Sequence, residues 1–82
     1  DYLKRKEEAA AIRKREKRKL SIKDEIKKLE DELIEVNEAL FGEAGTDYIK
    51  AAELEDNRII IEDRLMQLYE EEEELEKPLI FE

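Results

Sequence analysis

The feature that most constrains this chain is a pair of heptad stripes on either side of one glycine-bearing break. Apolar residues between positions 22 and 40 fall at Ile22, Ile26, Leu29, Leu33, Val36 and Leu40. The steps are 4, 3, 4, 3 and 4, which keeps a single stripe on one side of an α-helix. The stripe stops at Phe41-Gly42, and Glu43-Ala44-Gly45-Thr46-Asp47 follows. Both glycines of the chain sit here, where a tight reversal asks for backbone conformations that other residues resist. A second stripe then reads Ala51, Leu54, Arg58, Ile61, Leu65, Leu68, Glu72 and Leu75. A connection this short forces its two helices to lie antiparallel. The predicted fold is therefore all-α: an antiparallel two-helix coiled-coil hairpin, with helices over 22–41 and 47–76 and a turn at 42–46.

Folding the chain about that turn sets the register. Seam residues meet when their numbers sum to about 90 or 91, which pairs Leu40 with Ala51, Val36 with Leu54, Leu29 with Ile61, Ile26 with Leu65 and Ile22 with Leu68. Leu29, Leu33, Ile61 and Leu65 are read as the main seam residues, and Glu71 as an outer-face position. Leu33 meets Arg58, whose stem can lie along the seam with its head in water. Continuing outward sets Lys19 against Glu72, Arg15 against Leu75 and Ile12 against Leu79. Thr46 or Asp47 can cap the returning helix, and Pro78 ends it.

Composition agrees with so narrow a core. Half of the 82 residues are charged, too many to fill a broad globular interior but compatible with a seam between two helices. The absence of Cys and His excludes disulfides, thiolate or imidazole metal sites and Cys/His catalysis. It also agrees with a reducing cytoplasm. No apolar run approaches the ~20 residues of a membrane span. The chain begins at Asp1 without a signal-peptide pattern and reads as a piece of a longer protein.

Three segments follow from this reading: a basic N-terminal helical segment over 1–20, the hairpin over 21–77 and a C-terminal tail over 78–82. Ser21 is a good N-cap with Asp24 three residues on, which favours a helix break or kink near Leu20-Ser21. The segment before it stands out by charge. Residues 1–28 hold twelve bases and six acids, a net +6, whereas residues 29–82 hold four bases and nineteen acids, a net −15. Such a split points to pairing between the arms, to a polyanionic partner, or to both.

Arg13, Lys14, Arg15, Lys17, Arg18 and Lys19 are the candidate site residues. They include three like-charge pairs at i,i+4, each of which costs an isolated helix a few tenths of a kcal/mol. Glutamates 70–74 and 76 on the other arm would offset that repulsion. Alternatively the six cations contact phosphates, which neutralises backbone charge without reading base sequence. Residues 13–19 cover nearly two helical turns, so they cannot all face one partner. The carboxylates read as a solvated acidic face, because acid–base work needs a pocket that shifts a pKa. An all-helical Glu run also lacks the loop carbonyls of a calcium site. No cofactor and no catalytic residue is expected. Tyr2, Tyr48 and Tyr69 could stack on bases, although Tyr69 adjoins the seam. The Leu79-Ile80-Phe81 tail could dock on another domain or on a second copy.

Several local sequences resemble the C-terminal coiled-coil domain of the ABC-F family, ATP-binding-cassette proteins with two nucleotide-binding domains and no membrane part. Asp1-Tyr2-Leu3 is similar to the sequence with which these proteins leave their second nucleotide-binding domain. Lys19-Leu20-Ser21-Ile22-Lys23-Asp24 resembles a K-L-S-aromatic-K-E opening of the hairpin, with Ile22 in place of the aromatic. Leu65 through Leu75 resembles a closing L-x-x-L-Y-E-x-W-E-x-L pattern, with Leu68-Tyr69-Glu70 matching and Glu72 standing near the usual Trp. The Pro78 tail has no counterpart in that pattern. The resemblance implies a parent that hydrolyses ATP, acts on ribosomes or other nucleic-acid assemblies, and in some members binds DNA through this domain.

The expected function is thus an accessory nucleic-acid-binding arm, for DNA or ribosomal RNA, of a soluble cytoplasmic ABC-F ATPase. Binding would be weak, without membrane contact, and partnered by the rest of the parent protein. The alternative is a structural hairpin that spaces domains or self-associates as a homo-oligomer.

Overall fold

Asp1 opens the first helix by accepting a hydrogen bond from the Leu3 amide at 3.2 Å, satisfying one of the orphan donors of a helix start. From there α1 runs over Tyr2–Phe41 without a break, and α2 runs over Tyr48–Glu76. The structure, a computed structural model, describes residues 1–42 and 46–80, and no strand occurs among them. The described residues fill an envelope of 66 × 16 × 15 Å. This is the predicted all-α hairpin.

The helix does not break at Leu20-Ser21. Ser21 lies inside α1, because the heptad rhythm continues through it: Ile12, Arg15, Lys19 and Ile22 prolong the stripe, and the side chains at 15 and 18 are tied to α2. A cap residue ends a helix only where nothing beyond it packs. At the far end the expectation holds. Asp47 caps α2 by accepting from the Ile49 and Lys50 amides at 3.1 and 3.2 Å. At the other end Lys77 takes φ −69° and ψ 141°, the extended conformation imposed on a residue before proline.

Gly42 does not use left-handed backbone. Its φ of −98° and ψ of −156° are open to any residue. What glycine supplies is space, since a Cβ there would sit 3.3 Å from the Glu38 carbonyl oxygen. Gly45 and the rest of the expected turn at 43–45 lie outside the described residues.

The core is the seam: Ile22, Ile26 and Val36 of α1 against Ile61, Leu65 and Leu68 of α2, flanked by half-buried Leu29, Leu33, Leu40, Leu54 and Leu75. The register is visible in the bonds that cross between arms. Arg15 meets Leu75, Arg18 meets Glu71, and Glu25 meets Arg64, so position numbers sum to 89 or 90. Burial departs from the expectation in one respect. Leu29 and Leu33 are only half-buried, whereas Ile22 and Leu68 are fully buried. Arg18, Glu25, Arg64 and Glu71 bond to one another along the flank beside this end of the seam. Leu29 instead borders an open cleft of about 340 Å³ with Glu32, Asn57 and Ile61, and Leu33 faces Arg58.

In heptad letters, Ile22, Leu29 and Val36 occupy d, and Ile26, Leu33 and Leu40 occupy a. On α2, Ala51, Arg58 and Leu65 occupy a, and Leu54, Ile61 and Leu68 occupy d. One flank of the hairpin is then lined by g and c positions and the other by e and b positions.

Candidate nucleic-acid interface

The basic stretch of α1 lies near the open end of the hairpin, beside the Glu-rich end of α2. The hairpin divides the six predicted cations by their place on the helix. Arg15, at a seam d position, reaches across to the end of α2. Its Nε donates to the Leu75 carbonyl at 3.0 Å, and its Nη2 donates to the carbonyls of Leu75 at 2.5 Å and Glu74 at 3.4 Å. It therefore caps α2 from the other arm, placing a cation where the last carbonyls of a helix lack partners. Arg18, at g, forms a two-pronged bond with Glu71: Nε to Oε1 at 2.7 Å and Nη2 to Oε2 at 2.8 Å. Glu71 is thus a flank residue facing α1, not an outer-face residue.

The flank continues as a chain of alternating charge. Arg18 lies 3.7 Å from Glu25, and Glu25 lies 3.3 Å from Arg64, which also donates to Gln67. The bond to Glu71 raises the Arg18 pKa, and the bond from Arg18 holds the Glu71 carboxyl below the usual carboxylate range. Lys19 pairs with Glu16 of its own helix at 3.5 Å. Three of the six cations, Arg15, Arg18 and Lys19, are therefore spent inside the hairpin.

Arg13, Lys14 and Lys17 are placed differently. They occupy b, c and f, the side of α1 turned away from α2. All three are exposed, and none makes an ion pair with a described residue. Lys6 and Lys28 fall on the same ridge by the heptad count. The ridge from 6 to 28 is about 33 Å long at 1.5 Å per residue.

The tyrosines also divide. Tyr2 and Tyr48 are exposed at opposite ends of the molecule. Tyr69 flanks the seam, where burial first, and then the nearby Glu30 carboxylate, push its phenol pKa up. Ile12 and Leu79, expected to meet, are each less than half exposed, at 46% and 41%, and Phe81 lies outside the described residues. Nothing in the sequence pattern alone marked Arg15 as a helix cap. The signal was its seam position near the end of the α2 stripe, where an arginine has carbonyls within reach.

Compared with family models, with curated proteins and with solved structures, the chain matches none. Among the described residues, no helix is long and apolar enough to cross a membrane.

Proposed function

We propose that this chain is an accessory nucleic-acid-binding arm, contacting DNA or ribosomal RNA, of a soluble cytoplasmic ABC-F type ATPase, with no catalytic site of its own. The observation that carries the reading is the unpaired, solvent-facing ridge of Arg13, Lys14 and Lys17. A hairpin that served only as a spacer would need the cations that bind α2, but not these. The sequence similarities at Asp1–Leu3, Lys19–Asp24 and Leu65–Leu75 support the assignment to an ABC-F parent.

The contact is electrostatic and does not read sequence. The long lysine and arginine stems on the ridge reach phosphates, and the ordered counterions they displace supply the driving force. The net charge of −9 opposes binding at long range. Beyond a Debye length of about 8 Å at physiological salt that opposition is screened, and α1 stands between the ridge and the acidic arm. Affinity is accordingly weak.

The test is fluorescence anisotropy with duplex DNA, single-stranded DNA and RNA at two salt concentrations, comparing the parent chain with Arg13→Gln, Lys14→Gln and Lys17→Gln combined. Arg18 is left intact because it ties the arms together. Each phosphate contact contributes about 0.9 to the log–log salt slope on duplex DNA, so losing three lowers the slope by roughly 3. The absence of binding at low salt leaves the structural hairpin as the reading. Binding that survives the triple substitution moves the site to Lys4, Arg5 and Lys6 or to the turn.

A further inference from the structure

The flank opposite the arginine–glutamate chain carries a different kind of surface. Of nine large hydrophobic residues left exposed between positions 20 and 69, seven fall on the e and b positions of one flank: Leu20, Ile34, Phe41, Tyr48, Ile59, Met66 and Tyr69. Their exposure runs from 42% for Tyr69 to 92% for Phe41. Ile49 and Ile60 are the two that lie elsewhere. A random scatter of single exposed hydrophobics is ordinary, but seven gathered on one flank, interleaved there with Lys23, Lys27, Glu30, Glu55 and Glu62, mark an interaction surface. Scaled by exposure, the seven offer on the order of 800 Å² of largely apolar surface, about what each partner contributes to a standard interface. The whole chain exposes 6854 Å², about a third more than the roughly 5,200 Å² of a compact monomer of its mass.

We propose that this face packs against the same face of a second copy, with the two hairpins parallel and their turns at the same end. The product is a four-helix bundle in which α1 of each copy lies over α2 of the other. This inference is independent of the nucleic-acid reading.

Charge and shape both choose that arrangement. α1 carries twelve bases and ten acids, and α2 three bases and eleven acids. Two copies related by a two-fold axis along the hairpin bring α1 over the partner's α2, opposite in charge, as within one chain. An axis across the hairpin would instead stack α1 on α1 and α2 on α2, setting like charge against like. In the parallel arrangement Leu20 falls at the height of the Tyr69 position of the second copy, and Phe41 at that of its Tyr48 position, since each pair of numbers sums to 89 as the bonds between the arms do. Lys27 falls at the height of the Glu62 position of the second copy. Every neighbouring helix pair in the bundle is then antiparallel, the arrangement of up-down four-helix bundles. Lys14 and Lys17, at c and f, stay outside, whereas Arg13, at b, lies at the edge of the packed flank.

Sedimentation equilibrium across a range of concentrations tests the proposal. The expected result is a reversible dimer of twice 9.8 kDa. Ile34→Glu with Ile59→Glu should raise the dimer dissociation constant by roughly 100-fold or more, while Ile60→Glu on the opposite flank leaves it unchanged. A chain monomeric at all concentrations overturns the proposal and assigns the face to another partner. Loss of the dimer in Ile60→Glu alone overturns it in favour of the other flank.

Should the glutamate variants unfold, crosslinking gives a separate readout, since the chain has no cysteine. Under mild oxidation none of Leu20→Cys, Ile34→Cys or Tyr69→Cys alone should crosslink, and a mixture of Leu20→Cys with Tyr69→Cys should form disulfide-linked dimers. Crosslinking of Ile34→Cys with itself signifies the crossed arrangement and refutes the parallel one.

Discussion

Arg58 is the one charged side chain in the middle of the seam, and replacing it should make the protein more stable. It stands at an a position facing Leu33, half-buried, with its head turned out to an ion pair with Glu55. Its Nε is buried and has no hydrogen-bond partner. A buried donor left unpaired costs about 1–3 kcal/mol, because the water it gave up is not replaced. The ion pair returns little: a partly exposed pair at i,i+3 is worth about 0.3–0.5 kcal/mol. Leucine at 58 covers the seam about as well as the arginine stem does, removes the orphan donor and forfeits the ion pair. Arg58→Leu should therefore raise stability by about 1–2 kcal/mol, equivalent to a thermal-midpoint shift of roughly 4–16 °C for a domain of this size. The measurement is urea denaturation followed by far-ultraviolet circular dichroism at one fixed protein concentration, since self-association would move the midpoint. Glu55→Ala is the control for the ion pair and should change stability by less than about 0.5 kcal/mol. An Arg58→Leu chain no more stable than its parent, at an unchanged denaturant slope, would refute the reasoning that the seam bears an unpaired donor at a net cost.

Leu65→Ala, at a fully packed seam site, should cost roughly 2–4 kcal/mol, and Asp63→Ala on the outer face less than about 0.5 kcal/mol, both read from thermal melts. Arg15→Ala should cost about 1–2 kcal/mol through the uncapped carbonyls of Glu74 and Leu75, and Arg15→Lys should recover only part of it, since a lysine lacks the fork that reaches both. Because Arg18 holds the folded-state pKa of Glu71 below its unfolded value, that carboxylate stabilises the fold above the unfolded pKa, and the contribution fades as pH falls through the folded one. The gap in midpoint between the parent and Glu71→Gln should thus be present near pH 7 and shrink as pH falls below the ordinary carboxylate range. A gap that widens on acidification contradicts the assignment.

Much of this architecture is legible in the order of residues, and the places where reading failed share a cause. The stripes at 22–40 and 51–75, the capping Asp47 and the helix-ending Pro78 all act through local spacing, which a sequence displays directly. The register followed because one short turn leaves a two-helix chain few alternatives. Ser21 misled because its capping preference is local, while the helix is carried through it by contacts with α2. Glu71 was misplaced and Leu29 overrated for a related reason. Whether a side chain lies on a flank or in an open cleft depends on what stands across from it, and that is a property of pairs. The candidate site was half legible. The cluster at 13–19 was evident from charge alone, but its division into Arg15, Arg18 and Lys19 facing inward and Arg13, Lys14 and Lys17 facing out needed the helix phase relative to α2.

The arms are unequal: α1 has 40 residues and α2 has 29, so α1 outruns its partner by about three turns at the open end. The first dozen residues of α1 are almost all exposed, and a helix with no neighbour obeys helix–coil statistics, not the cooperativity of a packed fold. A dozen residues is about the length at which an isolated helix is marginal in water, and the bases at 4–6 and 13–14 do not help it. Its amides should exchange with solvent far faster than those around Ile22 and Leu68, through openings that leave the seam shut. The molecule then has two thermal lives, a hairpin that unfolds as a unit and an overhang that winds and unwinds independently. Whatever settles against the overhang, a phosphate chain or a neighbouring domain, would meet a segment whose helicity it helps to set, and part of its binding enthalpy would come from winding those turns.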